Sequence, residues 1–274
     1  MKIILKTLFL FAMILTVKPK DLVCDRIRVM TLNLSSNFEM KSSINDLIKK
    51  EKPDLISLQE AIWSVRGASS GRRRLPSGGV TIIQDMAKKL GYEYSFGYGV
   101  DEEPFNELRY WGPVVLSKRK ILSTKRIPLG GRRVLVEVIV NTGSKPLKFY
   151  ATHLPPYWWP GYGFSLNRIK ESFVSRQKLI RNMVKFLKQD LKNTVLAGDF
   201  NSLNFFHETK PIEDIMNDTY IESGGLFGAT YPSYIPFVRV DYIFASKDIK
   251  VRNCRTSSYI PDSDHRAVIA DLEY

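Results

Sequence analysis

The chain's apolar and polar positions change period several times, and each change marks an element. Residues 26–33, RIRVMTLN, alternate as a strand does and close on Asn33. Residues 42–51 take helical spacing, and Lys52-Pro53 stops them. Asp54 to Glu60 is a short apolar strand that ends on a carboxylate. The run at 66–79, RGASSGRRRLPSGG, is a loop by composition, and residues 80–90 form a helix that Gly91 ends. Strands follow near 92–96, 113–117, 132–140 and 147–152. Residues 165–188 predict a long amphipathic helix, with Ile169, Phe173, Ile180, Val184 and Leu187 on its apolar face. Asn193 to Ala197 is a buried strand that turns out through Gly198-Asp199-Phe200-Asn201, and strands near 238–245, 249–257 and 267–273 close the chain. No repeat and no long linker interrupts the series. The pattern predicts one α/β domain with more than one sheet layer.

A second regularity concerns how the strands end. Asn33, Glu60, His153, Asp199, Asn201, Asp241, Asp264 and His265 all sit at or just past an apolar strand. One such residue is an ordinary cap or turn former. Eight at comparable places describe a sheet edge that presents a polar site. Glu60 offers hard oxygen suited to Mg²⁺ or Mn²⁺. Asp199 and Asn201 are two residues apart and can serve one side of an extended turn. Asp264-His265 joins a carboxylate to an imidazole, and Asp241 can fix that imidazole's tautomer. There is no Cys/His cluster for zinc, no phosphate-binding Gly-Lys-Ser/Thr loop and no Gly-x-Ser-x-Gly elbow. His153 opens the aromatic run PPYWWPGYG, and the residue types alone leave it between an active-site group and a buried strand end. His207 stands apart from the pattern, as a surface or helix-start residue.

Composition adds two constraints. The net charge is +13, and only Lys2 and Lys6 of it lie in residues 1–17, so the excess belongs to the rest of the chain. Such a surface attracts phosphate-rich partners, or simply keeps the protein soluble. The first residues read as a targeting segment: two lysines, then the uncharged, mostly apolar stretch Thr7–Val17 of 11 residues. A membrane span needs about 20, whereas a signal sequence uses a shorter core. The expected organisation is therefore a signal peptide or N-terminal membrane-targeting segment over 1–24 and one domain over 25–274. The protein is then periplasmic or secreted, or held by an uncleaved N-terminal anchor. Export would place Cys24 and Cys254 where one disulfide can form.

The segments VMTLNL (29–34), PDLISLQE (53–60), WGPVVLSK (111–118), YATHL (150–154), VLAGDFNS (195–202), RVDYIFAS (239–246) and SDHRAV (263–268) resemble, in order, those of the endonuclease/exonuclease/phosphatase superfamily. That group of metal-dependent phosphohydrolases includes deoxyribonuclease I and neutral sphingomyelinases. The resemblance implies a four-layer sandwich: two mixed β-sheets packed face to face and flanked by helices. It implies that Glu60 is the principal metal ligand, with Asn33 beside it and Asp264 next to the metal. It gives catalytic roles to His153, Asp199, Asn201, Asp241 and His265, with Glu107 as the nearest candidate to orient His153. The chain departs from the family where WGPVVLSK lacks an Asn, and where Ser35 stands in place of an acidic residue found in some members.

The resemblance implies an enzyme that hydrolyses a phosphoester with activated water and Mg²⁺, or Mn²⁺. The expected substrate is DNA or another nucleic acid, contacted through Arg72, Arg73, Trp158, Trp159 and Arg176. Gln177 beside Arg176 either supports the site's residues from behind or belongs to a solvated helix face. One alternative is a sphingomyelinase-like or phosphoinositide-type lipid phosphoesterase at an anionic membrane surface, with the aromatic run as its contact. A small phosphate-ester phosphatase is another. A further one is a non-catalytic basic module that binds DNA or anionic lipid. No obligate protein partner is indicated, and the expected state is a monomer.

Overall fold

The computed structural model describes residues 25–35, 42–65, 82–96, 99–101, 109–157 and 165–274. Residues 1–24, with Cys24 and the expected targeting segment, and Arg72, Arg73, Glu107, Trp158 and Trp159 lie outside the described residues.

Thirteen strands among the described residues form two sheets. The first has seven: β1 (Arg26–Asn33), β2 (Leu55–Val65), β3 (Glu93–Phe96), β4 (Gly99–Asp101), β5 (Arg109–Ser117), β12 (Lys250–Thr256) and β13 (Val268–Glu273). Their order is β12-β13-β1-β2-β5-β3, with β4 also on β5. The second has six, in the order β10 (Met216–Asp218), β11 (Asp241–Ser246), β9 (Thr194–Asp199), β8 (Leu147–His153), β7 (Arg133–Val140) and β6 (Ile121–Gly130). Both are mixed. β1 runs parallel to β2 and β8 parallel to β9, and the remaining pairs are antiparallel.

Strand alternation sorts the apolar side chains into three layers. Val29, Leu55 and Ala270 of the first sheet meet Val136, Phe149, Ala197 and Ile243 of the second in the central core. The other face of the first sheet packs Met30, Leu32, Ile56 and Leu58 under α1 (Ser42–Glu51) and α2 (Ile82–Leu90). The other face of the second sheet packs Tyr150, Leu196 and Phe244 under α3 (Leu166–Leu187). The result is the four-layer α/β sandwich with two mixed sheets. Cys254 belongs to the central core, where its sulfur accepts from Thr219 Oγ1 at 3.3 Å.

Two details differ from the sequence reading. α3 buries Arg176, Leu179, Ile180, Met183 and Leu187, while Ile169, Phe173 and Val184 are only half-buried. The contact face is thus rotated from the one the apolar residues alone suggest, because a charged residue sits inside it. β6 went unread because ILSTKRIPLG has neither strand nor helix period. It is an edge strand, largely exposed, whose charges and Pro128 suit an edge.

Candidate active site

The second sheet delivers one row of polar groups. His153 is the register partner of Asp199 across β8 and β9, and Asp199 is the partner of Asp241 across β9 and β11. In-register partners project from the same face, so three adjacent strand ends place an imidazole and two carboxylates side by side. All three are buried. The row depends on close strand approach at the preceding pair. A Cβ on Gly198 would lie 2.1 Å from the Thr152 carbonyl oxygen, so only glycine fits there.

The first sheet contributes differently. β2 inserts an extra residue between Leu58 and Ala61 opposite β5, next to Pro113, which has no N–H for the ladder. Glu60 sits in that bulge with φ of 54°. A non-glycine residue in the left-handed region is uncommon and strained. Here the bulge turns Glu60 toward the end of β1. Asn33 Nδ2 donates to Glu60 Oε1 at 3.2 Å and to Asp199 Oδ2 at 2.9 Å, so one buried amide joins the two sheets. Its Oδ1 accepts the Ser35 backbone N–H at 2.9 Å.

The last loop completes the site. His265 Nδ1 lies 2.8 Å from Asp241 Oδ2, and its Nε2 lies 3.8 Å from Asp264 Oδ1. Asp264 is 53% exposed at the mouth, where Ser35 Oγ donates to its carboxylate and its own N–H donates back to Ser35 Oγ at 2.9 Å. Asn201, at φ of 46°, donates its N–H to Asp199 Oδ1 at 2.7 Å. Its amide nitrogen donates to the Leu154 carbonyl at 3.0 Å and faces His153 Nε2 at 3.3 Å.

Burial and charge drive the two histidines apart. Burial pushes His153 well below the usual imidazole range, and the positive charges of Arg133, His265 and Arg176 add to it. Burial also works against charge on His265. There Asp241, helped by Asp199 and Asp264, overcomes it and lifts the ring to about 10. Burial, then the neighbouring Asp241, pushes the Asp199 carboxyl up to about 7, against the pull of His265, Asn33 and the Asn201 N–H. At neutral pH the site therefore holds one neutral imidazole, one imidazolium and a carboxylate near its midpoint. Groups displaced in opposite directions are the signature of acid–base assignments.

Asp199, Asp241 and His265 also form a group that could hold a metal ion, their ligand atoms lying within 4.8 Å of one another. A second place with hard oxygens is the Asn33 bridge, where the Glu60 and Asp199 carboxylates share one amide. Asp241 Oδ1 is buried with no hydrogen-bond partner among the described residues. Crowded, partly unsatisfied carboxylates are the donor chemistry of a hard divalent cation.

One expected contact is corrected. Arg176 does not face substrate: it is fully buried, and its donors go to Glu208 and to the Pro155 and Phe200 carbonyls. The neighbouring Gln177 is half-buried, and His207 is exposed just after a single 3-10 turn. Sequence reasoning missed Glu208, whose setting NFFHETK reads as surface, and Tyr231, whose ring lies 5.0 Å from that of His265.

A two-sheet sandwich whose strand ends converge on paired carboxylates, two divergent histidines and an amide-held glutamate defines a class of phosphoester hydrolase. The sequence matches the Endonuclease/Exonuclease/phosphatase family over residues 30–265, and the chain belongs to that family of phosphoesterases. Among curated proteins none matches it significantly. Solved structures with the same fold include an endonuclease/exonuclease/phosphatase from Beutenbergia cavernae, 24% identical with a TM-score of 0.69, covering 90% of this chain and 71% of that one. D. rerio TDP2 complexed with single strand DNA product is 17% identical with a TM-score of 0.60, covering 90% and 98%. The human Nocturnin catalytic domain with bound sulfate is 20% identical with a TM-score of 0.61, covering 94% and 99%.

Proposed function

We propose that the protein is a Mg²⁺- or Mn²⁺-dependent phosphodiesterase that cleaves nucleic acid by in-line attack of water. The observation that carries this is the register row His153–Asp199–Asp241 facing the imidazolium of His265. Glu60 and Asn33 would hold the cation, with Asp199 at its edge and Asp264 near the mouth. When bound, the cation neutralises phosphate charge and polarises a phosphoryl oxygen.

The protein's own groups divide the rest. Asp199, which burial makes a stronger proton acceptor than an ordinary carboxylate, takes the proton of the attacking water. The Asn201 N–H holds Asp199 Oδ1, the Asn201 and Asn33 amides donate to Oδ2 at 3.1 and 2.9 Å, and Oδ2 lies 3.5 Å from His153 Nε2. His265, kept cationic by Asp241, binds a phosphoryl oxygen and stabilises charge developing there. His153, kept neutral, hydrogen-bonds the phosphoryl group without adding charge repulsion to His265.

Nucleic acid as the substrate is supported by the +13 charge and by the fold shared with a TDP2 captured with single strand DNA product. A second reading, a lipid phosphoester at a membrane surface, is favoured by one observation. The segment from Ser223 to Val238 carries no charged residue, yet Leu226, Phe227, Tyr234, Ile235 and Phe237 are exposed. Tyr234 and Tyr259 flank an open cavity of about 320 Å³ that reaches Asp264. Such a rim suits an apolar interface.

One panel tests both readings: plasmid DNA, RNA, sphingomyelin vesicles and a chromogenic phosphodiester, each with Mg²⁺ and with EDTA. Metal-dependent turnover of DNA or RNA with strong salt sensitivity is expected. Turnover confined to vesicles selects the lipid reading. Nucleic-acid binding that survives EDTA, with no turnover of any substrate, overturns the enzymatic one.

A further inference from the structure

Behind the catalytic row lies a second buried polar cluster, which touches none of the proposed reacting groups. Arg176, on the buried face of α3, pairs with Glu208, and both side chains are 0% exposed. Arg176 Nη2 lies 2.8 Å from Glu208 Oε2, and Nε approaches both carboxylate oxygens at 3.2 and 3.3 Å. Nη2 also donates to the Phe200 carbonyl at 2.8 Å, and Nη1 to the Pro155 carbonyl. Glu208 Oε2 accepts from Ser202 Oγ at 3.0 Å and from the Tyr157 hydroxyl, and the guanidinium stacks 4.3 Å from the Tyr157 ring centroid.

The placement of these contacts is not random in sequence. Pro155 and Tyr157 lie two and four residues after His153. Phe200 lies between Asp199 and Asn201, and Ser202 follows. Every hydrogen bond the pair makes outside itself goes to one of the two loops that leave β8 and β9 beyond the His153–Asp199 register pair. The ladder's last bond runs from the Leu154 N–H to the Asp199 carbonyl at 2.9 Å, and the Asn201 amide closes it on the Leu154 carbonyl at 3.0 Å. Arg176 bridges the two loops with a fork that holds one carbonyl from each, a geometry a single ammonium cannot reproduce.

Stability alone gives no reason to keep charges there. Removing an ion pair from water is costly, and well-packed apolar residues often replace one without loss. We infer that Arg176 and Glu208 are positioning residues for the reaction, a buried brace that fixes the loop leaving β8 just after His153 against the loop bearing Asn201. The inference rests on the phosphoesterase reading of the site. It explains why the most buried arginine among the described residues sits on α3, where substrate cannot reach, yet bonds to segments next to the catalytic row.

The test uses the double variant Arg176→Met/Glu208→Leu, which removes both charges and keeps apolar volume, with Glu208→Gln and Arg176→Lys beside it. Thermal melting, kcat and KM on the chromogenic phosphodiester, and the ring NMR signals of the chain's three histidines are read together. The double variant is expected to melt cooperatively near wild type. Its kcat should fall by about 100-fold, the scale of an ångström-level misplacement, with KM little changed, and the His153 ring signal should move. Glu208→Gln and Arg176→Lys should fall between, each recovering part of kcat. A folded double variant with wild-type kcat and an unmoved His153 signal overturns the inference. So does a kcat loss that merely follows the folded fraction. If the double variant does not fold, folded Glu208→Gln decides: kcat within twofold of wild type overturns the inference. If wild type turns over no phosphodiester, the phosphoesterase reading fails, and the His153 signal alone then decides whether the brace positions that ring.

Discussion

The two sheets build their halves of the site by different means. The second sheet uses regular strands in register, so His153, Asp199 and Asp241 stand in a row fixed by ladder hydrogen bonds and by a glycine that admits close approach. The first sheet uses irregularity: a bulge and a left-handed backbone aim Glu60, while Ser35, also at positive φ, fastens Asp264 at the mouth. The row is buried, and the mouth is open. Groups that move protons gain from a rigid, dry setting, where shifted pKa values are maintained. Groups that meet a hydrated cation and substrate need access. The site thus divides between a rigid chemical half and an accessible binding half, and each prediction below separates the two.

The largest effect should come from the rigid half. Asp199→Ala and His265→Ala should each lower kcat by about 1,000-fold or more, the combined scale of a lost base or a lost charge stabiliser. Steady-state rates on the chromogenic phosphodiester check this. Activity within tenfold of wild type in both variants would remove the row from the chemistry.

Glu60→Gln should act next, and differently. It keeps the shape and the Asn33 contact but removes the charge that favours a divalent cation. The Mg²⁺ concentration for half-maximal rate should rise by about 10- to 100-fold, with a smaller loss at saturating metal. A metal titration of rate distinguishes this from a row variant, whose loss no amount of metal recovers. An unchanged metal dependence would move the cation to the Asp199–Asp241–His265 group.

The pH dependence follows from Asp199. Its carboxyl is pushed up to about 7, chiefly by burial, so the base form is lost as pH falls below that value. The rate should therefore drop about tenfold per unit below the midpoint, and raising Mg²⁺ should move the midpoint down, since a cation favours the carboxylate. Linkage gives the matching sign for stability. A folded pKa above the unfolded value of about 3.9 contributes stability that is present below about 4 and lost as pH rises through about 7. In metal-free protein, the melting difference between wild type and Asp199→Asn should shift in that direction across the window. A pH-independent difference would place Asp199 outside the titration.

The two halves were also unequally legible in the sequence. Regular strands point to His153 and Asp199 at their last residues and to Asp241 at its first, because a regular strand fixes which face its terminal residue serves, and His265 follows from its place just before β13. The bulge at Glu60 left only the carboxylate itself visible. The backbone twist that aims it depends on Pro113 across the ladder, a long-range partner. Glu208 left no trace, because a glutamate after a short turn reads as solvent-facing until α3 is packed over it. Arg176 misled for the same reason: charge on a helix suggests a wet face, and here the helix buries it. β6 and the short elements near Lys210–Glu222 lack any sustained period.

Ser35→Ala is the smallest and most local probe. Ser35 Oγ both donates to the Asp264 carboxylate and accepts the Asp264 N–H, so alanine frees Asp264 on both sides. Asp264 is half in solvent and the lost contacts are exposed, so little stability is at stake: about 1 kcal/mol or less. The row behind it keeps its bonds, including the Asp241–His265 contact. The expected result is a kcat within about threefold of wild type, since no contact of the reacting groups is removed. KM for substrate or the metal requirement should rise by a similar modest factor. A kcat collapse comparable to that of Asp199→Ala would mean that the open loop sets the chemistry as tightly as the ladder does, and the division between a rigid half and an accessible half would not hold.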